Sequence, residues 1–220
     1  MRLEPPWPLL AGTLLTRHRI QISEDQARNA MRAEMAYYLE HHAEGRDPES
    51  LTDLRSRCAQ VLGDALPSQA AELGEQEILE ALLDALRFTP FPDAATTLGT
   101  LRASGIRAAV VSNWDCSLPS VLASVGLGGM LDAVVTSAEA GARKPDRRIF
   151  EAALEAVMCP PERALFVGDS LDIDVAGGRA AGIRSVLLDR GGAIGESEDI
   201  ERIATLDNLP ALLSSGGTLR

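Results

Sequence analysis

The 220-residue chain is 45% hydrophobic with mean hydropathy near zero, enough for one core domain plus a subdomain. A net charge of −11 and a pI near 4.8 argue against nucleic-acid or membrane-surface binding, both of which want basic patches, but not against a small anionic substrate met by a local cation. The three cysteines (Cys58, Cys116, Cys159) are odd in number and lack metal-ligand spacing. No apolar run reaches membrane-spanning length and the start shows no signal-peptide pattern, so a reducing, cytoplasmic location is expected.

The chain opens with Pro5, Pro6 and Pro8 around Trp7, then Leu9, Leu10, Leu14 and Leu15, which predicts a short helix from about Pro8 to His18. Ser23 with Gln26 reads as a capping box, and Ala27, Ala30, Met31, Glu34, Met35 and Tyr38 follow at helical spacing to about His41. His41-His42 sit at a helix end, where cations are favoured without a metal role. A helix from Ser50 carries Leu51, Leu54, Cys58, Val61 and Leu62; another, from Glu75 to Leu86, carries Ile78, Leu79, Leu82 and Leu83. The first 86 or so residues are thus expected to be helical throughout, with no strand.

The prolines of Phe88-Thr89-Pro90-Phe91-Pro92-Asp93 suit a hinge, and beyond them strands and helices alternate. Ala108–Ser112, Ala133–Ser137, Ala164–Val167, Arg184–Leu188 and a short stretch near Arg202–Thr205 read as strands. Ala94–Ser104, Leu118–Val125, Asp146–Val157, a stretch to Ala181 and one to Leu213 read as helices. Such alternation predicts a doubly wound parallel sheet covered on both faces. The expected domains are residues 1–87, a helical unit including a linker over 1–22, and 88–220, an α/β core.

Polar residues gather at the predicted strand ends. Ser112 and Asn113 offer a hydroxyl and an amide, donors suited to a phosphoryl oxygen. Lys144, in Ala142-Arg143-Lys144-Pro145-Asp146, stands before a helix as a point cation. Asp169 and Asp174 follow the strand that breaks off at Gly168, at the sheet edge where open α/β folds bind ligands, and suit one shared hard cation such as Mg²⁺. Each also has a structural reading: Ser112 as a turn cap, Lys144 as a solvated loop charge, the aspartates as helix caps and first-turn acids, Asp115 as the cap of the next helix. Trp114 reads as packing.

Over residues 20 to 213 the chain resembles the haloacid dehalogenase superfamily, specifically phosphatase-like members with an early helical cap. Val110-Val111-Ser112-Asn113-Trp114-Asp115 is similar to that family's second motif, Arg143-Lys144-Pro145-Asp146 to its third, and Phe166-Val167-Gly168-Asp169-Ser170 through Asp174 to its fourth. The resemblance implies a Rossmann-like core and Mg²⁺-dependent attack by an aspartate on the phosphorus of a small phosphorylated metabolite, followed by hydrolysis of the aspartyl-phosphate. In it Ser112 and Asn113 position the phosphoryl group, Lys144 stabilises negative charge, and Asp169 with Asp174 hold the metal. Oligomeric state and substrate identity do not follow.

The first motif of the family, a strand ending in the nucleophilic aspartate, has no counterpart. Gly12-Thr13-Leu14 imitates its tail, but the nucleophile position then falls on Leu9 and the acid/base position on Ala11. Arg2-Leu3-Glu4-Pro5-Pro6 resembles the stretch that follows the motif in relatives. The expectation is therefore a start assigned about ten residues late, the length of one strand and its turn, with the nucleophile upstream of Met1 and the chain as given inactive. The alternatives are a 2-haloacid dehalogenase, which attacks carbon without a metal, and a non-catalytic binding protein. In the family's sheet the first strand lies between Ala108–Ser112 and Ala164–Val167. Its loss leaves buried backbone groups unpaired at about 1–3 kcal/mol each, against a domain stability of about 5–15 kcal/mol.

Overall fold

Prolines and capping boxes decide where the helices begin. In the computed structural model, which describes residues 1–192 and 200–215, two compact units follow one another, Met1–Thr89 and Pro90–Arg220.

In the first unit, α1 (Pro6–His18) starts on a proline, whose fixed φ suits a first turn and whose missing N–H would have had no partner there. Ser23 caps α2 (Glu24–His41): its hydroxyl accepts from the Gln26 N–H at 3.2 Å, and the Gln26 side chain accepts from the Ser23 N–H at 2.9 Å. The third helix, α3 (Pro48–Ala65), begins two residues before the position expected from the sequence. Its cap is Asp47, whose carboxylate accepts from the Ser50 N–H at 2.9 Å, and Ser50 is the reciprocal partner of a box. Glu77 closes the start of α4 (Glu75–Ala85) by accepting from the Gly74 N–H. Leu10, Leu14, Met31, Leu54, Leu62 and Leu82 meet in a shared apolar core. The unit is not helical throughout: β1 (Arg2–Leu3) pairs antiparallel with β2 (Phe88–Thr89), Arg2 opposite Thr89, which joins the two ends of the unit. Two-residue strands have no alternation to read, so the pattern missed them.

Glu34, on the inward stripe of α2, is only 3% exposed. Burial pushes its carboxyl up to about 7, and the Cys58 thiol from α3 partly offsets that by hydrogen bonding to it. A carboxyl easier to protonate when folded contributes stability below its unfolded value of about 4.3, and this is lost as pH rises towards 7. Glu34→Gln is expected to raise stability by about 2–3 kcal/mol at pH 8 and to change little at pH 4. Urea unfolding followed by Trp7 fluorescence in a Trp114→Phe background measures this; equal effects at both pH values would contradict it.

The second unit alternates α5 (Pro92–Ala103), β3 (Ala109–Ser112), α6 (Leu118–Ser124), β4 (Ala133–Thr136), α7 (Ser137–Ala140) and α8 (Arg147–Ala156), then β5 (Leu165–Gly168), α9 (Ala176–Ala180), β6 (Arg184–Leu188), β7 (Arg202–Ile203) and α10 (Leu209–Ser215). All its pairings are parallel, but in two separate sheets, β3–β4 and β5–β6–β7. Among the described residues no strand pairs with the free sides of β3 and β5. Accordingly every residue of β5 is only half-buried, whereas Val186 and Leu187 of β6 are 0% exposed. The two sheets share one apolar layer: Ile149 and Phe150 of α8 pack with Val111, Val135 and Phe166, and the Phe150 and Phe166 rings meet edge to face at 4.9 Å.

At the start of α5, Asp93 gathers donors from distant parts of the unit. Arg190 grips it through two nitrogens at 2.7 and 3.0 Å, and the Thr205 hydroxyl and Leu206 N–H add bonds of 2.8 and 2.9 Å. Arg190 also lies over the Phe91 ring at 4.0 Å. The Arg190 hydrogen bonds above all hold the Asp93 carboxyl well below the usual carboxylate range, against its burial. Asp93→Ala should cost about 2–4 kcal/mol at pH 7. A depressed carboxyl contributes stability that is present at neutral pH and lost in acid, so the deficit should shrink as pH falls below about 4. A deficit independent of pH, in urea titrations at pH 7 and pH 3, would show that the ion pair is not its source.

Candidate active site

Parallel strands bring their carboxyl ends to one edge, and β3 and β5 end there with polar residues. The first stops at Ser112 and hands on to Asn113; the second stops at Gly168 and hands on to Asp169. Between them in sequence, α7 ends at Gly141 in the left-handed conformation, φ +63°, which a glycine adopts without cost. The chain then runs through Lys144 to Asp146, whose carboxylate caps α8 by accepting from the Arg148 N–H at 2.9 Å.

Lys144 Nζ meets Asp174 Oδ1 at 2.6 Å, with the two side chains 13% and 6% exposed. The other carboxylate oxygen, Oδ2, accepts the backbone N–H groups of Asp169 and Ser170, both at 3.1 Å. Successive N–H groups turned to one anion form a small nest. What turns Asp174 back towards them is an over-wide turn over Leu171–Val175, ahead of α9. The Ser170 hydroxyl accepts from the Ile173 N–H, and the Val175 N–H reaches the Ser170 carbonyl, five residues back, at 3.0 Å. Such π-type turns insert a residue and re-aim a side chain. Asp174 then lies so close over the end of β5 that a Cβ at position 168 would fall 2.3 Å from its Cβ. Glycine there is a steric requirement, visible in the sequence only as a strand that stops early.

The Asn113 amide is closed onto the Lys144 main chain: its Oδ1 accepts from the Lys144 N–H at 2.7 Å and its Nδ2 donates to the Lys144 carbonyl at 3.1 Å. Ser137 treats Trp114 in the same way, accepting from its N–H at 3.0 Å and donating to its carbonyl at 3.2 Å. No sequence signal pointed to Ser137. Asp115, 4% exposed, accepts from the Ser117 N–H at 2.7 Å, a local cap. The Ser112 hydroxyl and the Asp169 carboxylate have no hydrogen-bond partner among the described residues, and Asp169 is exposed. So Asn113, Lys144, Asp174 and the Asp169 backbone are joined by hydrogen bonds, while Ser112 and the Asp169 carboxylate stand open at the same edge.

These residues are compatible with Mg²⁺. That ion is held by one or two carboxylates together with substrate oxygens and water, and Asp169 offers an open carboxylate. Asp174, beside it, already serves three donors. Among the described residues there is no group of three or more His, Cys, Asp or Glu side chains placed to hold a metal, as a structural zinc site would need. His41 is stacked on Tyr37 at 4.0 Å. A groove of about 520 Å³ between α3 and α4 in the helical unit, lined by Ser56, Gln60, Gly63 and Glu75 among others, contains none of the strand-end residues. No helix among the described residues is long and apolar enough to cross a membrane.

A parallel α/β unit with anion-directed groups at its strand ends defines a broad class of ligand-binding folds. The family model described as haloacid dehalogenase-like hydrolase matches residues 10–182, well over half of the chain, and the chain belongs to that family. It is 33% identical over 133 residues to a glyceraldehyde 3-phosphate phosphatase of Methanothermobacter thermautotrophicus, covering 56% of this chain and 57% of that protein. It is 37% identical over 126 residues to a phosphoserine phosphatase of Thermus thermophilus, covering 57% and 49%. The chain thus spans about half the length of these curated relatives. Among solved structures, an HAD phosphatase from Thermococcus onnurineus aligns with a TM-score of 0.63 at 27% identity, over 99% of this chain and 93% of that one.

Two glycines give opposite expectations. Gly168→Ala should cost about 1–3 kcal/mol, because Asp174 must move. Gly12→Ala, whose added Cβ meets nothing within 4 Å in α1, should stabilise by about 0.5–1 kcal/mol. Urea midpoints decide, and a harmless Gly168→Ala would contradict the close approach.

Proposed function

We propose that the chain carries most of the machinery of a Mg²⁺-dependent phosphatase acting on a small phosphorylated metabolite. The observation that carries this reading is the open carboxylate of Asp169 beside an ammonium held by Asp174, at the carboxyl end of a parallel strand. The phosphatase names of relatives 33% and 37% identical support it.

In this reading the Ser112 hydroxyl donates to a phosphoryl oxygen, and Lys144 balances negative charge that develops during transfer. Mg²⁺, bound by Asp169 with Asp174 next to it, would supply Lewis-acid neutralisation of the phosphoryl oxygens. The nucleophile is an aspartate at the end of a strand lying between β3 and β5, outside residues 1–220. A carboxylate oxygen forms a bond to phosphorus as the ester P–O bond breaks, and the leaving alkoxide takes a proton from water to depart as the alcohol. Water then attacks phosphorus and returns the carboxylate and inorganic phosphate. The open carboxylate at Asp169 favours this over attack on carbon in a 2-haloacid, which needs no metal. The helical unit, residues 1–87, is assigned the role of a cap that selects substrate and excludes water.

A protein extended upstream of Met1 by the preceding reading frame tests this with p-nitrophenyl phosphate. Hydrolysis with Mg²⁺, abolished by chelation and lowered at least about 100-fold by Asp169→Asn, is expected. Metal-independent chloride release from 2-chloropropionate, or no hydrolysis at all, would overturn the reading.

A further inference from the structure

Lys144 is the only lysine among the 21 basic residues of the chain. A lysine side chain is a flexible stem ending in a compact charge, so an ammonium is held in place only if both its head and its main chain are fixed. The head is fixed by Asp174, which follows β5. The main chain lies in the connection between α7 and α8, and what fixes it is the side chain of Asn113, which follows β3, 31 residues away in sequence. One amide satisfies both the N–H and the C=O of Lys144, at 2.7 and 3.1 Å. Lys144 is therefore tied at one end to the β3–β4 sheet and at the other to the β5–β6–β7 sheet, which no described strand joins.

We infer that Asn113 is a positioning residue that acts through Lys144 and is not itself a ligand of the phosphoryl group. Beyond Lys144 its amide keeps one uncommitted N–H, whose use by an anion the phosphate readout below tests. An amide has two N–H donors and one carbonyl oxygen; one donor and the oxygen are committed to Lys144. Turning the amide over to present both donors to an anion would leave the Lys144 N–H facing an NH₂ group. Ser137 on Trp114 shows the same arrangement at the end of the same strand, so the β3 terminus is bounded by two main-chain clamps. The inference rests partly on the proposed phosphoryl site, and its test separates the two.

Lysine-specific ¹³C labelling of the 220-residue chain gives a single Cε resonance, that of Lys144. Asn113→Ala is expected to shift it to the position seen in Asp174→Asn, where the ammonium has lost its partner. A role in general stability alone would leave that native-state resonance in place. Inorganic phosphate binding, by calorimetry, supplies the second readout: Asn113→Ala should weaken it about tenfold when Lys144 is present and less than about twofold in a Lys144→Met background. An unmoved resonance, or the same loss of phosphate affinity in both backgrounds, would overturn the inference; the latter result would make Asn113 a direct ligand. If the unsubstituted chain binds no phosphate, the phosphoryl site fails and the lysine resonance alone decides the role of Asn113. Should Asn113→Ala not fold, Asn113→Ser, which stays polar and uncharged but is too short to span the N–H and C=O of Lys144, replaces it with the same readouts.

Discussion

The 2.6 Å contact between Lys144 and Asp174 constrains everything around it. Removing an ammonium and a carboxylate from water is costly, and the attraction between them offsets the cost only when the remaining valences are met. Asp174 meets that condition with three donors: the ammonium and the N–H groups of Asp169 and Ser170. Each neighbour then follows. Gly168 has to lack a Cβ, the turn over Leu171–Val175 has to be over-wide, and the Asp169 side chain is left facing solvent with its carboxylate uncommitted. One buried ion pair thus separates two aspartates that stand only five residues apart into an anchor and an exposed, uncommitted carboxylate.

The same pair bears on the divided sheet. Ile149 and Phe150 supply a common apolar layer beneath both halves, and Lys144 supplies a polar tie at the carboxyl edge through Asn113 and Asp174. Apart from the exposed Ala109, the residues of β3 and β5 are half-buried, and each strand has a described strand on one side only. Buried backbone groups left without a partner cost about 1–3 kcal/mol apiece. In the proposed reading, a nucleophile on a strand between β3 and β5 meets Ser112, Lys144 and Asp169 at the carboxyl edge.

Much of this could be read from the residues. Short apolar runs between helical stretches placed the strands of the second unit, and helical spacing, with one capping box at Ser23, placed α1 to α4 within a few residues. The motif resemblance brought Ser112, Asn113, Lys144, Asp169 and Asp174 to one edge because parallel strands must end together. What escaped was local and conformational. Asp47 caps α3 because a proline follows it, so the helix begins ahead of its apolar stripe. The pairing of Arg2–Leu3 with Phe88–Thr89 is too short to show a period. The sequence offers Asp169 and Asp174 alike as carboxylates for one cation; that Asp174 meets Lys144 while the Asp169 side chain is exposed depends on a single extra residue in a turn, and spacing does not encode that. The type of Asn113 suits a donor to phosphate; that its amide also bonds the Lys144 main chain follows only from folding.

A double-mutant cycle between Lys144→Met and Asp174→Asn, read by urea unfolding at pH 7, tests the ion pair directly. If the pair is the constraint described, each single substitution costs about 3–5 kcal/mol and the double far less than their sum, a coupling of at least about 2 kcal/mol. Additive losses, with coupling below about 0.5 kcal/mol, would mean that the two charges do not hold one another and that the site is built on something else.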